Sequence, residues 1–147
     1  MQLTATSRRV LDSMAVSRKD RPEMIRERRG ALLRWAMVAA WMTAIFVMSS
    51  MPGSLLPSGA PSLGHLIEYS VLGGLLVNAL LPTMSWRRAV ALAVLIASLY
   101  GVVDELHQYF TPSRTPEISD WVIDTLSAFA GALIIAGVAR TRRRKSK

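Results

Sequence analysis

Four apolar runs, at roughly 31–50, 63–81, 89–109 and 121–138, dominate the chain. Each approaches the length of about twenty residues that carries a helix across a hydrocarbon core of about 30 Å. A lipid-exposed backbone must satisfy its own hydrogen bonds, so runs of this kind are restricted to helices. The expectation is an all-α integral membrane protein, a four-helix bundle.

The charge pattern agrees with that expectation. The chain has 147 residues, enough for one domain, and 51% of them are hydrophobic, yet its net charge is +8. Apolar spans flanked by basic segments reconcile these two facts. Residues 1–30 form a polar tail, residues 31–138 the membrane domain, and residues 139–147 a second basic tail. Some thirty residues precede the first apolar run, which is unlike a cleaved signal peptide. Asp20, Pro22 and Glu23 resemble a capped helix start there. The basic residues lie beside apolar runs, as membrane topology requires, so nucleic acid is not an expected partner. The chain has no cysteine, which excludes disulfides, thiolate catalysis and cysteine-bound metal.

Of the 18 lysines and arginines, all but Arg114 fall on one side of a four-span topology. The positive-inside rule then puts both termini in the cytoplasm and two proline-containing loops outside. The first loop is expected over Met51 to Ser62, where Pro52, Pro57 and Pro61 oppose a regular helix. The second is expected over Thr111 to Asp120. The localisation that follows is a bacterial cytoplasmic membrane, multi-pass, with N-in/C-in topology.

The runs do not end as plain anchors would. Asp104, Glu105, His107 and Gln108 close the third, with Tyr100, Asp104 and Gln108 on one helical face. His65, Glu68 and Tyr69 open the second at i, i+3 and i+4, and Asp120 and Asp124 open the fourth. In an alternating topology all of these lie near the outer boundary. Carboxylates gathered there repel one another unless a cation, shared protons or a ligand offsets them. Arg114 is the basic side chain at that level and is expected to pair with them. A plainer reading also holds: polar residues near helix ends can simply be solvated, and Asp120 could be the N-cap of the fourth span. Asn78, at the other end of its span, reads as an interhelical hydrogen bond. Gly73 and Gly74, and the stripes Ala93/Ala97/Gly101 and Ala128/Ala132/Ala136, offer close helix approach.

These residues resemble the VanZ-like membrane protein family. The resemblance rests on His65 with Tyr69 four residues on, and Gly73 beyond. It continues through Asp104, Glu105, His107, Gln108, Phe110, Pro112, Arg114 and Asp120, and then Gly131. It covers about residues 60 to 137. Ser62 stands where many relatives have Lys, Ser113 where the turn has Gly, Asp124 where Asn is usual, and Ser127 where another Gly occurs. The resemblance implies a small helical membrane protein. The family's namesake is associated with resistance to the glycopeptide teicoplanin, which implies no particular reaction.

Two functions compete. In the first, His65, Glu68, Tyr69, Asp104, Glu105, His107, Gln108, Arg114, Asp120 and Asp124 bind an envelope lipid, a glycolipid, a lipid-linked precursor or a lipidated glycopeptide. In the second the chain is a membrane-embedded enzyme, with Glu105 as general acid or base and His65 or His107 as proton shuttle. A divalent ion in such an enzyme would sit on Asp104, Glu105, Asp120 or Asp124. No spacing matches a nucleophile or metal signature, so the sequence assigns no catalytic residue, metal or cofactor. Membrane lipids are the expected partners. Transport would require a homo-oligomer, because four short spans are few for a transporter. A structural subunit of an envelope complex is a further alternative.

Overall fold

The structure, a computed structural model, describes residues 5–52, 54 and 60–145. The helices are α1 (Ala5–Ser49), α2 (Ala60–Leu80), α3 (Trp86–Gln108) and α4 (Ile118–Lys145). Each contains a segment long and apolar enough to cross a membrane: Arg21–Ser49, Leu63–Leu80, Trp86–Gln108 and Ile118–Arg142. The chain falls into two compact units, Met1–Leu33 and Arg34–Lys147.

In the first unit, α1 continues through Pro22 instead of starting near it. A proline inside a helix removes one backbone hydrogen bond, and residues 21–29 are exposed. The second unit carries the packing. The loop expected over Met51 to Ser62 is shorter than its prolines suggest, because α2 already begins at Ala60. Pro61 then lies in the first turn, where its missing N–H has no intrahelical partner to lose. Pro57 lies outside the described residues.

Helices α2, α3 and α4 pack together, most closely between α2 and α4, whose backbones meet. Glycine at two positions makes that approach possible. A Cβ at Gly73 would overlap the Ala128 carbonyl, and a Cβ at Gly131 would overlap the Ser70 carbonyl. The two helices therefore meet at reciprocal glycines, as small-residue crossings in membranes do. The Ala93/Ala97/Gly101 and Ala128/Ala132/Ala136 stripes are buried and face into this core. Around them lie Leu72, Leu76 and Val77.

Helix α1 joins differently, through side chains. Trp41 Nε1 donates to the Glu68 carbonyl at 2.9 Å, and Tyr100 Oη donates to the Met42 carbonyl at 2.6 Å. Ile45 is fully buried against the core. At the end of the bundle where α3 begins, Trp86 receives the Arg140 guanidinium 4.5 Å above its ring and ties that end of α3 to α4.

Asn78 makes no interhelical side-chain bond among the described residues. It is exposed on a groove of about 360 Å³ lined by Ser70, Gly74, Gly131 and Ile135.

Leucine at Gly73 or at Gly131 should therefore separate α2 from α4 and destabilise the protein by about 1–3 kcal/mol or more. Gly137→Ala should be neutral, since nothing lies within 4 Å of a Cβ there. Melting temperatures of detergent-purified variants check this; equal melting of all three would contradict the crossing.

Candidate functional site

The alternation of four helices brings the C-terminal ends of α1 and α3 together with the N-terminal ends of α2 and α4. At this polar end, His65, Asp104, Gln108, Thr111, Asp120 and Asp124 are all buried.

Its centre is a contact between α2 and α4. His65 Nδ1 lies 2.9 Å from Asp124 Oδ1, and Asp124 is 0% exposed. An ionised Asp124 is an acceptor only, so with this carboxylate charged and the imidazole neutral Nδ1 carries the proton and donates. The other ring nitrogen, Nε2, then accepts from Gln108 Nε2 at 3.4 Å, and the same amide donates to Asp104 Oδ2 at 3.3 Å. Asp120 Oδ2 stands 4.0 Å from His65 Nε2. A chain of polar groups thus runs from α4 through α2 to α3. Gly101 leaves room for it, since a Cβ there would come within 3.1 Å of Asp124 Oδ2.

Glu105 occupies the next position round α3. Its Oε2 accepts from the Glu117 backbone N–H at 2.7 Å, which holds the loop leading into α4. Its other oxygen, Oε1, is buried without a partner, as are Asp104 Oδ1, Asp124 Oδ2 and the Tyr69 hydroxyl. Tyr69 lies one turn below His65, with ring centroids 6.1 Å apart. Glu68 is half-buried, and its carboxylate makes no hydrogen bond among the described residues.

Three expectations are corrected here. His107 does not join the cluster. Asp104 and Gln108 share the inward face of α3, and a residue one position before Gln108 is turned about 100° away. His107 instead meets α1, with Nε2 2.9 Å from Ser50 Oγ and its ring 4.3 Å from Phe46. Arg114 forms no ion pair with a carboxylate among the described residues. Its Nε donates to the Met51 carbonyl at 3.3 Å, just past the end of α1, where a cation suits the negative end of the helix dipole. Asp120 is not the N-cap, because α4 starts at Ile118 and the Glu117 carbonyl accepts from the Asp120 N–H. Asp120 sits in the first turn, where a carboxylate is also favoured.

Ser50 was not evident as part of this end. The only signal is that two serines close the first apolar run. The turn after α3 is strained: Ser113 has φ 59°, the left-handed region that favours glycine.

A groove of about 430 Å³ opens beside the cluster, lined by Val102, Glu105, Pro116, Glu117, Ile118 and Trp121. Trp121 is held in its wall by a 3.2 Å bond from Nε1 to the Ser98 carbonyl. Glu105 therefore touches both the polar cluster and an apolar lateral opening.

The VanZ/LLP1 family matches residues 34–140. The chain belongs to this family. The match takes in α1 from Arg34 onward, beyond the segment that carries the sequence resemblance. No curated protein and no solved structure matches the chain. It is thus a multi-pass membrane protein of the VanZ/LLP1 family, with four candidate spans. Asp124 lies at the heart of the buried cluster.

Two outcomes follow. Ser113→Gly should relieve the turn and stabilise the protein by about 1 kcal/mol, raising its melting temperature; a lower one would contradict the strain. Asp124→Leu should destabilise it by about 1–3 kcal/mol by stripping His65 of its partner, and Asp124→Asn, which still accepts from Nδ1–H, should cost less. Denaturation of the two variants side by side tests that order.

Proposed function

We infer that the polar end binds the headgroup of a membrane lipid or lipid-linked molecule. The ligand class is an envelope glycolipid, a lipid-linked precursor or a lipidated glycopeptide. The observation that carries this reading is Glu105, shared between the buried cluster and the lateral groove. A lipid has the same division, with a polar head that can donate to carboxylates and an apolar tail that suits a groove open to the side. Asp104, Glu105, Asp120 and Asp124 supply acceptors for hydroxyl or amine donors, and Gln108 and His65 set their positions. Arg114 uses one of its five donors on Met51, and its remaining donors suit an anionic group at the rim.

The charge asymmetry supports a bacterial cytoplasmic membrane with both termini inside, which turns the polar end outward. The chain lacks cysteine, so single cysteines report sidedness cleanly. Thr115→Cys should react with a membrane-impermeant maleimide on intact cells, and Thr141→Cys only after lysis. The reverse pattern would invert the topology.

A second reading, an enzyme on a membrane-embedded substrate, is favoured by one observation. Asp124 fixes the tautomer of His65 so that Nε2 is the basic nitrogen, as a general base requires. In that reading Glu105 is the second proton-transfer group.

Lipids retained by the purified protein separate these readings. Mass spectrometry should find a specific glycolipid or prenyl-linked lipid on the wild type and not on a folded Asp104→Asn/Glu105→Gln variant. Identical bulk lipid on both would remove the headgroup site. Turnover of the retained lipid by the wild type, lost in Glu105→Gln, would favour the enzyme.

A further inference from the structure

We propose that His65, Glu105 and Asp124 form a binding site for one divalent transition-metal ion of the zinc type. The three residues come from α2, α3 and α4, and one ligand atom of each lies within 4.8 Å of the others. An ion bound at about 2.0–2.2 Å from nitrogen and oxygen ligands holds them roughly 3–3.5 Å apart in a tetrahedral arrangement. The His65 Nδ1–Asp124 Oδ1 pair stands at 2.9 Å and opens slightly as the ion replaces the Nδ1 proton. Glu105 has to swing inward, and its Oε1 is buried and uncommitted.

Charge balance is the independent argument. Asp104, Asp120 and Asp124 are buried, and the buried Oε1 of Glu105 adjoins them. Among the described residues, the contacts that any of them makes to a basic side chain within 4.0 Å are to His65 alone. Arg114, the basic residue nearest in sequence, is turned to Met51. Buried carboxylates are normally paired or bound to a metal. Here Asp124 Oδ2 and Asp104 Oδ1 have no partner at all, although their residues are 0% and 2% exposed. A divalent cation would offset two of these charges.

The donor set selects the class of ion. One imidazole with carboxylates suits zinc and its first-row neighbours. Calcium takes six to eight oxygens and magnesium an octahedral oxygen shell, whereas this set offers one imidazole and two carboxylates. Asp120, 4.0 Å from His65 Nε2, stands beside the ring nitrogen that faces away from the ion, the place of an outer-shell carboxylate. The sequence carried no metal signature because the three ligands are 40, 59 and 19 residues apart and converge only through the bundle. The inference does not rest on lipid binding, since it follows from the carboxylates and the imidazole alone.

The test uses the full chain, purified in detergent, stripped with chelator and then equilibrated with zinc chloride. Elemental analysis after removal of free metal should find one zinc per chain. Glu105→Gln and His65→Gln should each weaken binding at least about tenfold, and His107→Gln, which changes the imidazole outside the cluster, should keep one zinc per chain. Cobalt(II) added to the stripped wild type provides a readout that needs no variant: it should give the absorption bands of a tetrahedral site, abolished by zinc. No zinc on the wild type, zinc held equally by Glu105→Gln, or cobalt bands of a fully hydrated ion would each overturn the proposal. Lipid retention by the same stripped protein distinguishes the two readings. Zinc absent with lipid retained removes the metal site alone, and zinc bound with no specific lipid removes the headgroup reading alone.

Discussion

Asp124 facing His65 is the interaction on which the rest of the polar end depends. A carboxylate that is 0% exposed within a membrane-spanning helix needs a partner, and the α2 imidazole supplies it at 2.9 Å. That contact decides the remaining geometry. It fixes the protonated nitrogen of His65, so the opposite nitrogen accepts from Gln108 and aligns that amide on Asp104. Three helices are thereby locked in register at one end by a single polar chain. The same arrangement leaves several carboxylate oxygens without partners. A bundle built only to hold itself together would be better served by apolar residues at these positions.

The polar contact is possible because the backbones come close. Gly73 and Gly131 let α2 and α4 touch at their backbones, about two turns from His65 and Asp124. Gly101 gives Asp124 its space on the α3 side. Close packing and polar clustering are therefore one design, in which small residues set the distance at which an imidazole and a carboxylate meet. Helix α1, attached by Trp41, Tyr100 and His107 rather than by backbone contact, borders this core without entering the cluster.

Much of this was legible in the amino-acid sequence. The four apolar runs announce four helices, and the positions of His65, Asp104 and Asp124 near span ends announce a polar layer. The small-residue stripes point to the buried faces. What could not be read was rotation about the helix axes. Asp104 and Gln108 turn inward while His107, between them in sequence, turns to Ser50, and adjacency in the chain conceals this. Arg114 was misjudged for a related reason: the strained turn at Ser113 aims it at the end of α1 rather than at the carboxylates. Asn78 misled because a polar residue in a span suggests a partner, whereas its face of α2 is open. The helical N-terminal stretch was obscured by Pro22, which a helix can carry at the loss of one hydrogen bond.

The most direct test of the central claim is the imidazole itself. The chain has 2 histidines, so nitrogen-15 labelling of histidine gives a spectrum with two rings, and His107→Gln leaves one. In metal-free protein reconstituted in lipid, His65 should show a slowly exchanging proton on Nδ1 and an unprotonated Nε2, and Asp124→Leu should abolish the Nδ1 signal. A ring that averages both tautomers and exchanges freely with water, unchanged by Asp124→Leu, would contradict the buried Asp124–His65 contact and the site built on it.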